Sequence, residues 1–135
     1  MARAQIRLAV DERTVTRVTG WIERFCGQQQ LPRAVTNAVT LSLEEVVSNI
    51  VVHGYERQPG KLSIVLHYDR RAFSVVIEDG GKPFDPTQAE APSLGGTLAS
   101  RREGSLGLLF VKTLMDDVTY QRAGAINRLK LMKRL

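Results

Sequence analysis

At 135 residues, 43% hydrophobic and 24% charged, the chain has the size and balance of one globular domain with its own core. A net charge of +5 favours anionic ligands or an acidic partner, but the basic residues are scattered and not interleaved with aromatics, which speaks against nucleic acid. A single cysteine, Cys26, excludes an intramolecular disulfide, and no signal peptide or apolar run of membrane-spanning length is read, so a cytoplasmic protein without a membrane segment is expected.

In chain order, Ala4 to Val10 alternates weakly, with Ile6, Leu8 and Val10 against Gln5, Arg7 and Ala9, and reads as a strand. Asp11 is placed to cap a helix running to about Gln28, with Val15, Val18, Ile22 and Phe25 at helical spacing. Cys26 falls in this pattern as a small packing residue. Pro32 suits the first turn of a second helix that runs to Val52 or His53 and ends at Gly54. Gln58-Pro59-Gly60 is a turn. Lys61 to Tyr68 and Ala72 to Glu78 then alternate as two strands of an antiparallel hairpin around Asp69-Arg70-Arg71.

Asp79 to Pro86 is a loop rich in glycine and proline. No periodicity holds from Thr87 to Glu103, a length that suggests a lid at 87–103. A third helix is expected from Leu108 to about Met115, and a last hairpin from Asp117 to Arg122 and Ala125 to Arg134 around Ala123-Gly124. With no repeats or interdomain linkers, residues 1–135 form one domain. The order of elements fits an α+β two-layer sandwich, its sheet mixed but mostly antiparallel, with helices on one face.

Three stretches carry chemistry. In the second helix, at about 100° per residue, Glu45, Asn49 and His53 fall within roughly 80° of one another. They lie beside an apolar stripe of Val35, Val39, Leu43, Val46 and Ile50. A carboxylate can act as a base or a metal ligand, and an amide oxygen can hold a hard cation such as Mg²⁺. The alternative is a solvated helix edge. In the second stretch, Asp79-Gly80-Gly81-Lys82-Pro83-Phe84-Asp85-Pro86, a carboxylate at a strand end can accept from an exocyclic amine such as that of adenine. Gly81 lets backbone approach a flat ring. Ordinary turn chemistry explains the same residues. In the third, Gly104-Ser105-Leu106-Gly107-Leu108, glycines before a helix N-terminus leave N–H groups free for phosphate, or form a plain helix entry.

In their order and spacing the three stretches resemble the motifs of the GHKL, or Bergerat-fold, ATPase superfamily. Glu45-Val46-Val47-Ser48-Asn49 with His53 resembles its N box. Asp79 to Phe84 resembles its first glycine box and Gly104 to Leu108 its second. The short chain, the Asn49-x-x-x-His53-Gly54-Tyr55 ending and Met115-Asp116-Asp117-Val118 are most similar to anti-sigma factor serine kinases of bacterial partner-switching systems. There is no room for the second domain of topoisomerase, chaperone or mismatch-repair members, and no phosphohistidine helical hairpin.

The resemblance implies ATP and Mg²⁺ as cofactors. Asn49 would hold Mg²⁺, and Glu45 would be the general base, Glu44 projecting about 100° away. Asp79 would bind the adenine amine with Gly81 and Phe84 nearby. Gly104, Ser105, Leu106, Gly107 and Leu108 would face the phosphates, Arg101 or Arg102 would neutralise their charge, and His53 would line the phosphate side or serve as a capping or packing residue. Two positions depart from the pattern: Ser105 stands where glycine is frequent, and Asn127 where threonine is frequent near the adenine. The implied substrate is a serine on an anti-sigma factor antagonist, the alternative partner is a sigma factor, and a homodimer is expected. A nucleotide-binding module that sequesters a partner without phosphorylating it is the competing expectation.

Overall fold

A computed structural model describes residues 1–88 and 105–135. The elements are strand β1 (Ala2–Ala9), helices α1 (Thr14–Gln28) and α2 (Arg33–Asn49), a π-helical turn (Ile50–Gly54), strands β2 (Lys61–Tyr68) and β3 (Ala72–Asp79), a short 3-10 turn (Pro86–Gln88), helix α3 (Ser105–Leu114), and strands β4 (Asp117–Ala123) and β5 (Ile126–Arg134). The five strands form one sheet in the order β1-β2-β3-β5-β4. All four pairings are antiparallel, so the described sheet is more uniform than the mixed one expected. The expected lid, with Arg101 and Arg102, lies almost wholly outside the described residues, as does Gly104.

Period-two alternation decides which face of the sheet is buried. Leu62, Ile64 and Leu66 of β2 meet Phe73, Val75 and Ile77 of β3 and Leu129 and Leu131 of β5 on the helix-covered side, all at 6% exposure or less. The register aligns them in rows: Ile64 opposite Ile77 opposite Leu129, and Leu66 opposite Val75 opposite Leu131. Against this surface α1 lays Val18, Ile22, Phe25 and Cys26, and α2 lays Val39, Leu43, Val46 and Val47. The core is aliphatic apart from Phe25 and Phe73, whose rings meet edge to face at 5.7 Å, an arrangement favoured by the ring quadrupoles. Cys26 is the packing residue its pattern implies, and burial pushes its thiol pKa up.

Local chemistry sets the element ends. The N-cap position of α1 is Arg13, without a side-chain cap, and not Asp11 as expected; Asp11 instead closes the turn before the helix, its Oδ1 accepting from the Arg13 N–H at 2.7 Å while its own N–H donates to Thr14 Oγ1 at 2.8 Å. At the other end, Leu31 N–H bonds Cys26 O and Gln30 N–H bonds Gly27 O, both at 3.1 Å, a Schellman closure with Gln30 at φ 55°. In the β2–β3 turn, Asp69 Oδ1 accepts from the N–H groups of Arg71 and Ala72. α3 begins at Ser105 and not at Leu108, so Gly107 lies inside its first turn. The first N–H groups of a helix have no partner within it, so glycine there sacrifices no helical hydrogen bond.

The end of α2 departs from expectation. Gly54 does not terminate the helix in the left-handed region; the backbone widens into a π turn in which Tyr55 N–H reaches Ile50 O at 2.9 Å. Glu56 and Arg57 then take positive φ, 51° and 61°. The cause is tertiary: Gly54 is buried and its carbonyl accepts the Lys82 N–H at 2.9 Å.

A second correction concerns apolar length. Arg33–Gly54, at 22 residues, is long and apolar enough to cross a membrane by length and composition. Its apolar side is buried on the sheet while Leu41 and Glu44 face solvent, the pattern of a core helix.

Candidate functional site

One pocket lies where the end of α2, the loop after β3, the start of α3 and the β4–β5 hairpin converge. The cavity proper is about 30 Å³ and opens to solvent at its mouth. Asn49, Ile50 and Gly54 line it from the α2 end, Asp79 from β3, Phe84 and Pro86 from the loop, and Leu108 from α3. Tyr120, Asn127 and Leu129 close the hairpin side. The walls are mainly apolar, with a few buried polar groups at fixed positions, the usual constitution of a small-molecule site.

The polar centre is built by the β3–β5 pairing, which sets Asp79 directly opposite Asn127. Both are buried, at 6% and 5% exposure. Asp79 Oδ1 accepts from the Gly81 N–H at 2.9 Å and from Asn127 Nδ2 at 3.1 Å. The Asn127 amide also donates to the carbonyls of Lys82 at 2.9 Å and Gly81 at 3.3 Å. Its Oδ1 accepts from the Tyr120 hydroxyl at 2.5 Å and Arg122 Nη1 at 3.1 Å. Arg122 Nη1 also reaches the Gly81 carbonyl at 2.9 Å, closing the network on the loop.

The Gly54-Tyr55 pair holds the loop from the other side. The Tyr55 hydroxyl accepts from the Gly80 N–H at 2.6 Å and donates to the Lys61 carbonyl at 2.6 Å. Gly60 lies flat against the Tyr55 ring, where an added Cβ would come within 2.2 Å of ring carbon. Gly81 is needed for a similar reason. A Cβ there would stand 2.7 Å from the Gly54 carbonyl oxygen, so the backbone it admits is that of Gly54. Gly81 is not among the lining residues. Glu56 and Lys82 add an exposed ion pair between the same two segments.

At the α2 end, Asn49 is 6% exposed. Its Nδ2 donates to the Glu45 carbonyl at 2.7 Å, which orients the amide and leaves Oδ1 buried without a partner. A buried amide oxygen without a donor is costly, and a cation or a ligand donor would satisfy it. Glu45, one turn earlier, is half-buried and lies outside the pocket lining; its carboxylate makes no hydrogen bond or ion pair among the described residues. Glu44 is exposed, as its helical phase required. His53 is also outside the lining and stacks on Phe84, with ring centroids 6.4 Å apart and planes at 28°.

Of the residues singled out from sequence, the pocket thus gathers Asn49, Asp79, Phe84, Leu108 and Asn127. Ser105, Leu106 and Gly107 form the first turn of α3 beside Leu108, with side chains outside the described set. Sequence reasoning missed Tyr120 and Arg122, and it gave Tyr55 no role in the site. The alternation of Val118, Tyr120 and Arg122 in β4 places all three on the inner side of the strand, a signal that was present.

A five-stranded antiparallel sheet backed by helices, with a pocket joining an acidic strand end to a buried helix asparagine, defines an ATP-binding domain of the GHKL type. The chain belongs to the Histidine kinase-like ATPase domain family, which matches residues 5–133. It is 31% identical over 127 residues to the serine/threonine-protein kinase BtrW of Bordetella bronchiseptica, covering 93% of this chain and 89% of that protein. It is also 31% identical over 103 residues to the serine-protein kinase RsbW of Staphylococcus epidermidis, covering 70% of this chain and 64% of that one. In fold it is similar to the crystal structure of the RsbU and RsbW domains of a Mycobacterium tuberculosis protein, with a TM-score of 0.73 over 100% of this chain and 32% of the other, at 14% identity. The resemblance read from the three motifs is therefore borne out at the level of family and fold.

Proposed function

We propose that the chain is an anti-sigma regulatory factor that binds ATP with Mg²⁺ and phosphorylates a serine on an anti-sigma factor antagonist. The observation that carries this reading is the placement of Asp79 and Asn49 in one pocket, the first with an acceptor to spare and the second with a buried, unsatisfied oxygen. The serine kinases among its relatives support it. Asp79 Oδ2 accepts no hydrogen bond from the described residues and takes the exocyclic amine of adenine. Asn127 and Phe84 shape the base site around it, and the Gly81 N–H holds the carboxylate in place. Asn49 Oδ1, buried without a partner, would hold Mg²⁺, which would supply charge neutralisation at the phosphates.

Backbone N–H groups in the first turn of α3, from Ser105, Leu106, Gly107 and Leu108, receive the phosphates. His53 holds Phe84 in place from behind. Glu45 accepts the proton of the substrate serine hydroxyl as its oxygen bonds the γ-phosphorus and the bond from that phosphorus to ADP breaks. The enzyme is a cytoplasmic homodimer with a sigma factor as its other partner, acting in transcription regulation.

The position of Glu45 outside the pocket lining favours a second reading, a nucleotide-binding module that sequesters its partner without catalysis. A Glu45→Ala variant separates the two. For a kinase it keeps ATP affinity within about twofold and loses phosphoryl transfer by about 10²-fold or more, the range for removing a general base. A wild type that binds ATP yet labels no cognate antagonist in a radiolabel transfer assay leaves the module as the function.

A further inference from the structure

We infer that Tyr120 and Arg122 are positioning residues that set the preference of the pocket for an adenine over a guanine nucleotide, acting through Asn127 on Asp79; this rests on the nucleotide-site reading above. The amide of Asn127 is oriented without ambiguity. Three acceptors surround its nitrogen: Asp79 Oδ1, Gly81 O and Lys82 O. Two donors surround its oxygen: the Tyr120 hydroxyl and Arg122 Nη1. A flipped amide would set N–H against donors and oxygen against a carboxylate and two carbonyls.

The consequence falls on Asp79. With Oδ1 held by the Gly81 N–H and by Asn127, the carboxylate cannot turn, and Oδ2 is the acceptor left for the pocket. Adenine offers a donating amine at its six position; guanine offers a carbonyl oxygen there. A fixed carboxylate oxygen welcomes the first and repels the second, and it discriminates only while it is held still. Arg122 adds a second constraint, because the same Nη1 fixes the Gly81 carbonyl that the Asn127 amide touches. Arg122 is not among the residues lining the pocket, so its influence on a bound base passes through this network.

The test is calorimetric titration of the full chain with ATP and with GTP, each with Mg²⁺, for wild type, Tyr120→Phe, Arg122→Gln and Arg122→Lys. Tyr120→Phe keeps the ring and removes only the hydroxyl. The expected result is a preference for ATP in the wild type that narrows by about fivefold in Tyr120→Phe and Arg122→Gln, the size of one net hydrogen bond. The narrowing comes from weaker ATP binding with GTP unchanged, and Arg122→Lys, which keeps a donor, recovers part of it. A wild-type preference that survives in both Tyr120→Phe and Arg122→Gln overturns the inference alone, as does equal weakening of both nucleotides, the mark of a merely structural role. A wild type that binds neither nucleotide overturns the site reading and the inference together. A circular dichroism melt confirms that each variant is folded; should Tyr120→Phe not fold, the Arg122 pair carries the test.

Discussion

Asn127 and Gly81 show how much of this site rests on single residues. Asn127 makes five hydrogen bonds through one short amide, tying β5 to the carboxylate of β3, to two loop carbonyls and to two side chains of β4. A threonine in its place would have one hydroxyl and could not span the same set. Gly81 is constrained by backbone on its far side. Gly81→Ala must move the loop from Gly54 or compress a contact of 2.7 Å, and both disturb the N–H that holds Asp79. Urea unfolding is expected to show a loss of about 1–3 kcal/mol, typical of overpacking against a surface that cannot yield. Nucleotide affinity should fall with it; an unchanged unfolding midpoint would show that the Gly54 contact relaxes freely.

Among the elements, the β2–β3 hairpin and the end of α2 are built on opposite principles. The hairpin turn is local: Asp69 accepts from the backbone N–H groups of Arg71 and Ala72, and these bonds hold its carboxyl below the usual carboxylate range. Because the folded-state pKa is depressed, the stabilisation is present above the unfolded value of about 4 and is lost as pH falls through the folded value. Asp69→Asn should therefore lower stability at neutral pH, where the carboxylate's contribution is fully present, and flatten part of the stability profile below about pH 4, measured by thermal melts across pH 2–7. The α2 end is set from a distance. Its π turn, the positive φ of Glu56 and Arg57, and the buried Gly54 all serve contacts with residues 80–82. π-helical turns of this kind recur at functional sites because they shift the following residues out of helical register. Here the shift sends Gly54 and Tyr55 to the loop that follows Asp79.

At the scale of the whole molecule, the two layers place the site at their shared edge. The sheet contributes Asp79 and Asn127 and the helical layer contributes Asn49 and Leu108, so under the proposed function a nucleotide in the pocket bridges both layers. Binding to the folded state alone must then stabilise the entire domain. At a concentration one hundred times the dissociation constant, ATP with Mg²⁺ should contribute about 2.7 kcal/mol and raise the melting temperature on the order of 10 °C. Replacing Asn49 by Ala should remove the Mg²⁺-dependent share of that shift while leaving the unliganded protein folded, since its Oδ1 has no partner among the described residues to lose. A shift independent of Mg²⁺ in the wild type would sink the assignment of Asn49.

The order of the α-helices and strands, the phase of Glu44 against Asn49, and the acidic loop at the end of β3 were all legible in the chain, because periods of 3.6 and 2 residues and the chemistry of turns are written over a few neighbouring positions. The pairing of Asp79 with Asn127, 48 residues apart, was not. It depends on β5 entering the sheet between β3 and β4, a choice made by the fit of apolar rows across the whole sheet. For the same reason the sequence identified Gly81 but not its neighbour, and it identified the stretch from Leu43 to Tyr55 without its π turn. Local spacing determined which residues had the chemistry to bind a nucleotide; the packing of distant strands and loops decided which of them met in one pocket and which hold the others in place.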